Sequence, residues 1–196
     1  NFTMLQLASA TATLVSGGQR FEPRLVREIE DPVTRERRRV SSAALDPLPF
    51  KPEHVQVINH ALWLVTQEGT SVRSFAGAPY RSGGKTGTAQ AVSIRQNEKY
   101  NAAKLEEHQR DHSLYIAYAP VEAPTIAVAI VVENSGFGSE AAAPITRRVF
   151  DYALAGLLPS EEDIALTRQG KSGAPVGRPR PAASVPLPGL AAGAAP

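Results

Sequence analysis

The stretch Thr125-Ile-Ala-Val-Ala-Ile-Val-Val-Glu133 is an almost unbroken run of β-formers, and it restricts the fold more than any other segment. Such a run predicts a strand buried on both faces. A strand of that kind needs neighbours. Leu114 to Tyr118 alternates in part and is ended by Ala119-Pro120. Residues 82–92, centred on Lys85-Thr-Gly-Thr-Ala-Gln90, also read as extended. One long and one short connection join these three segments, so the natural pairing is antiparallel.

Helical periodicity surrounds the strands. Phe2 to Val15 places Met4, Leu7, Thr11 and Leu14 on one face, with Asn1 as the expected N-cap and Gly17-Gly18 as the stop. A second helix is predicted from Pro52 to about Gln67, with Val55, Ile58, Leu62 and Val65 as its stripe and Trp63 as packing. Proline is tolerated in a first turn, and Glu53 suits the helix dipole. His54 and His60 do not share a helical face and suggest no metal pair. A third helix, about Ala141 to Leu157, would lay Ile145, Val149 and Tyr152 on the sheet. The fold class is therefore α+β, an antiparallel sheet flanked by helices.

The remaining segments are connections. Arg20 to Glu30 reads as extended, Asp31-Pro32 as a turn, 46–52 as a proline-rich connector, and Gly69 to Tyr80 as a loop. Arg35, Arg37, Arg38 and Arg39 form the most basic run, read as a solvated strand or loop with Glu36 interleaved. Residues 93–111 are polar and read as a solvated connection with a short helix near 102–109. Asn134 to Ser139 reads as a Gly- and Ser-rich turn. Two parts are expected: a folded portion, 1–158, and a Pro/Ala/Gly-rich tail, 159–196, too poor in apolar residues to offset its ordering entropy.

A formal charge of +2 over 196 residues is too small to imply a nucleic-acid partner. The chain holds no cysteine, so it has neither disulfides nor cysteine metal sites. No apolar run approaches the ~20 residues that span a bilayer. It begins at Asn1 and opens directly into a helical pattern, and so reads as a fragment.

Chemistry concentrates at Lys85-Thr86-Gly87-Thr88. An ammonium and two hydroxyls can converge there on a carboxylate, and Gly87 leaves room for a ligand to approach. Together with Tyr100-Asn-Ala102, Arg110-Asp-His-Ser-Leu-Tyr-Ile-Ala-Tyr-Ala-Pro120, Val131-Val-Glu-Asn-Ser-Gly136 and Ala142-Ala-Pro-Ile145, this resembles the class B penicillin-binding proteins, most of all their elongation-specific branch. The resemblance covers about residues 1–155.

That resemblance implies the transpeptidase fold shared with serine β-lactamases, here incomplete, and a peptidoglycan D,D-transpeptidase acting through an acyl-serine. Lys85 would supply positive potential. Thr86 and Thr88 would bind the terminal carboxylate of a D-Ala-D-Ala stem peptide or of a β-lactam. The Thr88 N–H would form half of an oxyanion hole, and Gly87, Ala89 and Gln90 would complete the substrate edge. Asp111 and His112 would support the cleft. No cofactor or metal is implied. Membrane proteins of the elongation complex would be partners, at the periplasmic face of the bacterial inner membrane, with the anchor outside this chain.

The family also needs Ser-x-x-Lys on a helix and a Ser-x-Asn element. Ser82-Gly-Gly-Lys85 matches the first formally, but two glycines before a strand do not make the helical turn, and no Ser-x-Asn occurs. Both motifs are expected upstream of Asn1, leaving this chain inactive by itself and with an uncovered apolar face that favours self-association. A serine β-lactamase or D,D-carboxypeptidase fragment fits the same motif. A non-catalytic module using the sheet edge or the arginine run is the reading from another class.

Overall fold

The computed structural model describes residues 2–93, 100–101, 105–171 and 173–185. In chain order it contains helix α1 (Met4–Val15), strands β1 (Arg20–Phe21), β2 (Glu28–Glu30), β3 (Arg37–Arg39) and β4 (Ala44–Leu45), and helices α2 (Pro52–Gln67) and α3 (Val72–Phe75). Strands β5 (Gly83–Ala89), β6 (His112–Ala119) and β7 (Ile126–Val132), helix α4 (Ala142–Ala155), strand β8 (Leu157–Leu158), helix α5 (Glu161–Arg168) and strand β9 (Arg180–Pro181) follow. The predicted 102–109 helix falls partly outside the described residues, which show one 3-10 turn at Glu107–Gln109. Residues 94–99 and 102–104 of the 93–111 connection lie outside them too.

The three predicted strands pair antiparallel in the order β5-β6-β7. Side chains alternate across the sheet. Tyr115, Ala117 and Ala119 face Phe75 of α3 and Ala142, Ala143 and Phe150 of α4, and these residues form the core. Leu114, Ile116 and Tyr118 take the other face, where Tyr118 donates to the Asn59 carbonyl of α2 at 3.2 Å. Strand β7 is half-buried, not buried on both faces as its composition suggested. It is an outer strand of the sheet, so its side chains have neighbours on one flank only.

Helix α1 starts two residues later than an N-cap at Asn1 would place it. Thr3 is the N-cap, its hydroxyl accepting from the Gln6 N–H at 3.2 Å while the Gln6 amide oxygen accepts from the Thr3 N–H at 2.9 Å. Gly18 ends it at φ +99°, with its N–H on the Thr13 carbonyl. Helix α2 has the predicted bounds, with Pro52 in its first turn. The Gly69 to Tyr80 loop contains α3, which the sequence did not suggest. The arginine run is a solvated strand: β3 pairs with β2, and Arg37 bridges Glu28 and Glu30 at 3.6 and 2.8 Å. The acidic partners are therefore cross-strand Glu28 and Glu30, not the interleaved Glu36.

Helix α4 overturns its predicted face. Ile145, Val149 and Tyr152 point to solvent, and Ala143, Thr146, Arg147, Phe150 and Asp151 point inward. The reason is a buried polar network. Arg147 pairs with Asp151 at 2.7 Å and donates to the carbonyls of Ser74 and Ala76, and the Tyr80 hydroxyl donates to Asp151 at 2.8 Å. Satisfying these charges at both ends outweighs exposing three apolar side chains.

Within the expected tail, residues 161–168 and 180–181 form regular structure. Ser160 caps α5, β8 pairs with β9, and Arg148 of α4 grips Asp163 through two bonds of 2.9 and 2.5 Å. Residues 186–196 of that tail lie outside the described residues. No helix among the described residues is long and apolar enough to cross a membrane.

Candidate active site

Strand β5 carries every residue of the Lys-Thr-Gly-Thr run, and glycines bring it close to β6. A Cβ on Gly83 would lie 2.6 Å from a ring carbon of Tyr118, and one on Gly84 2.7 Å from the Ile116 carbonyl oxygen. Ser82 is buried at the strand entrance, its carbonyl accepting from the Thr66 hydroxyl at 2.8 Å. It stands in extended chain, so it is not a serine one helical turn before Lys85.

Lys85 and Gly87 share the face of Leu114 and Ile116, while Thr86 and Thr88 take the face of Tyr115 and Ser113. Lys85, Thr86 and Gly87 line a cleft of about 190 Å³ with Leu114, Ile116 and the α1 residue Met4. The Lys85 ammonium curls over the strand and donates to the Thr86 carbonyl at 2.8 Å. That carbonyl therefore faces the free edge of β5. Backbone direction repeats every second residue, so the Thr88 N–H faces the same edge. The Thr86 and Thr70 hydroxyls are hydrogen-bonded at 3.1 Å. The ammonium, the Thr86 hydroxyl and the Thr88 amide thus gather around one edge from two faces of the sheet. Thr88 and Ala89 are exposed, and Gln90 lies exposed just past the strand.

Behind this edge the sheet is held by buried polar groups. Burial pushes the Tyr115 and Tyr118 phenols up to about 12. His112 pairs with Ala89 and accepts from the Asn134 N–H at its Nδ1, 3.0 Å away, which places the proton of the neutral ring on Nε2. Asp111 is buried, and its carbonyl accepts from the Gly136 N–H. Thr70, Ser113 and Gly138 also belong to this surround and had no local signal. They lie in other segments and meet β5 only through the fold.

An antiparallel sheet between helices, with Lys-Thr-Gly-Thr on an outer strand, is the arrangement of a penicillin-binding transpeptidase domain. Residues 1–151 match the family described as penicillin binding protein transpeptidase domain, and the chain belongs to that family.

Within it the similarity is to the penicillin-binding protein 2 type. The chain is 37% identical over 181 residues to the peptidoglycan D,D-transpeptidase MrdA of Haemophilus influenzae, covering 86% of this chain and 26% of that protein. The structure of Pseudomonas aeruginosa PBP2 in complex with WCK 5153 matches 78% of this chain and 30% of that one, with TM-score 0.56 and 27% identity. The ceftriaxone acyl-enzyme of Mycobacterium tuberculosis penicillin-binding protein A matches 78% of this chain and 32% of that one, with TM-score 0.61 and 28% identity. The chain thus spans about a quarter of the length of the curated relatives it matches.

Proposed function

We propose that this chain supplies the Lys-Thr-Gly edge of a peptidoglycan D,D-transpeptidase that cross-links stem peptides through an acyl-serine. The observation that carries the reading is the free edge of β5, where the Lys85 ammonium, the Thr86 carbonyl and the Thr88 amide lie together. The nucleophilic serine and the Ser-x-Asn element come from other residues of the parent protein, since Ser82-Gly-Gly-Lys85 is not helical and no Ser-x-Asn occurs in 1–196.

Lys85 holds positive potential beside the incoming serine. The Thr86 and Thr88 hydroxyls bind the carboxylate of a D-Ala-D-Ala stem or a β-lactam. The Thr88 N–H stabilises the tetrahedral oxyanion, and losing one such donor costs about 2.7–4 kcal/mol of transition-state stabilisation. Gly87, Ala89 and Gln90 line the substrate edge. The parent works at the periplasmic face of the inner membrane with partners of the elongation complex. The structure of one relative, acylated by ceftriaxone, supports β-lactams as ligands.

Intact mass after incubation with a penicillin tests this, with circular dichroism as the folding control. The expected result is a stoichiometric adduct on the parent protein and none on residues 1–196 alone. An adduct on the isolated chain would place a nucleophile inside it and overturn the reading.

A further inference from the structure

The loop between β7 and α4 reaches back across the sheet and rests on the site strand. A Cβ on Gly138 would lie 2.3 Å from the Leu114 carbonyl oxygen, 2.7 Å from that of Gly87 and 3.1 Å from the Gly87 nitrogen. All are backbone atoms of one cross-strand pair, Gly87 opposite Leu114, so no side-chain rotation relieves the contact. Gly138 is not among the residues with positive φ, unlike Gly136 at +79°. Glycine is needed at 138 for space, not for backbone freedom.

The loop is fastened one register step further along. Ser113, fully buried and paired with Thr88, donates its hydroxyl to the Phe137 carbonyl at 3.0 Å and accepts from the Ala142 N–H at 3.1 Å. One side chain thus ties down both sides of Gly138. Ser113 points away from the face that carries Leu114, Gly87 and Lys85, so the loop lies behind the cleft.

The atoms that a side chain at 138 would press on matter. The Gly87 carbonyl and the Thr88 N–H belong to one planar peptide unit, so displacing the oxygen tilts the N–H at the free edge. We infer that the β7–α4 loop is a back plate for the site strand, and that Gly138 and Ser113 are positioning residues that set the orientation of the Thr88 amide. The inference rests on the acyl-transfer reading above.

The test uses the intact parent protein with Gly138→Ala, Ser113→Ala and, as a control on the same loop, Ser135→Ala. Limiting penicillin acylation rate and final adduct stoichiometry are measured separately, with deuterium exchange of peptides covering 83–89 and 126–132. The expected result is a limiting rate lower by about tenfold to a hundredfold in the first two variants, full stoichiometry, and faster exchange confined to 83–89. The control acylates as wild type. Ser113→Ala keeps the test open if Gly138→Ala does not fold.

A wild-type rate with reduced stoichiometry would mean a folding role only and would overturn the inference. So would an unchanged rate with full labelling. If the wild-type parent takes no penicillin, the functional reading fails, and exchange at 83–89 alone decides whether the loop holds the strand.

Discussion

Two tyrosines on β6 support the site strand from opposite faces, and their protons make the fold sensitive to alkali. Tyr115 and Tyr118 are 1% and 0% exposed, and burial moves each phenol from 10.0 to about 12. At Tyr118 the Glu122 carboxylate adds to the effect. Tyr80 shifts in the same direction, through burial and then the Asp151 charge beside its hydroxyl. A raised phenol means that the folded chain keeps a proton which the unfolded chain releases. The stability this gives is complete below pH 10 and is lost as the pH climbs from 10 to about 12. Each tyrosine contributes a slope of about 1.4 kcal/mol per pH unit there. Urea unfolding midpoints should therefore hold level to about pH 9 and fall steeply above pH 10. Tyr115→Phe should flatten the fall, and a midpoint that stays level to pH 12 in the wild-type chain would refute the mechanism. The sequence made the site visible at this scale only where residues are contiguous. Lys85, Thr86, Gly87 and Thr88 announce themselves together, whereas Gly138 looks like the turn glycine Gly136 until the backbone of β5 is seen beside it.

At the scale of elements, the strands followed their residues and helix α4 did not. The β5, β6 and β7 segments were legible because alternation or unbroken β-formers reflect the sheet directly. Helix α4 misled because periodicity ranks residues by hydropathy, and its inner face is chosen by an ion pair. Neighbouring arginines divide the work. Arg147, paired with Asp151 of the same helix, ties α4 inward to the chain before β5, and Arg148 ties it outward to Asp163 of α5. The outward tie explains why residues 161–168 and 180–181 form regular structure despite the composition around them. Arg148 also donates to the carbonyls of Pro144 and Gly173, and Ser160 donates to that of Val176. Removing one partner of a buried ion pair costs about 3–5 kcal/mol. An extension with so little apolar contact cannot absorb that loss. Arg148→Gln should therefore release the extension while the sheet stays folded. Hydrogen exchange would show protection lost over 161–168 and kept over β6, and retained protection in α5 would sink this account.

For the molecule as a whole, the decisive feature is what its apolar surface meets. Phe2, Leu5, Phe21, Leu48 and Phe50 are 75%, 61%, 56%, 36% and 39% exposed. Leu5, Pro23, Leu48 and Phe50 line one groove of about 430 Å³ beside α1. A patch of this kind is unfavourable in water, and burying one leucine or phenylalanine side chain yields about 1.5–3 kcal/mol. Residues 1–196 alone should bury it by self-association. The Leu5→Ser, Phe50→Ser double variant removes about 3 kcal/mol or more, at least about a hundredfold in the association constant. Sedimentation velocity over a range of concentrations checks this. The wild-type chain should sediment faster as concentration rises, and the double variant should shift towards monomer with its circular dichroism unchanged. A monodisperse wild-type monomer at every concentration would mean that the exposed groove is stable in water and has no need of a partner surface.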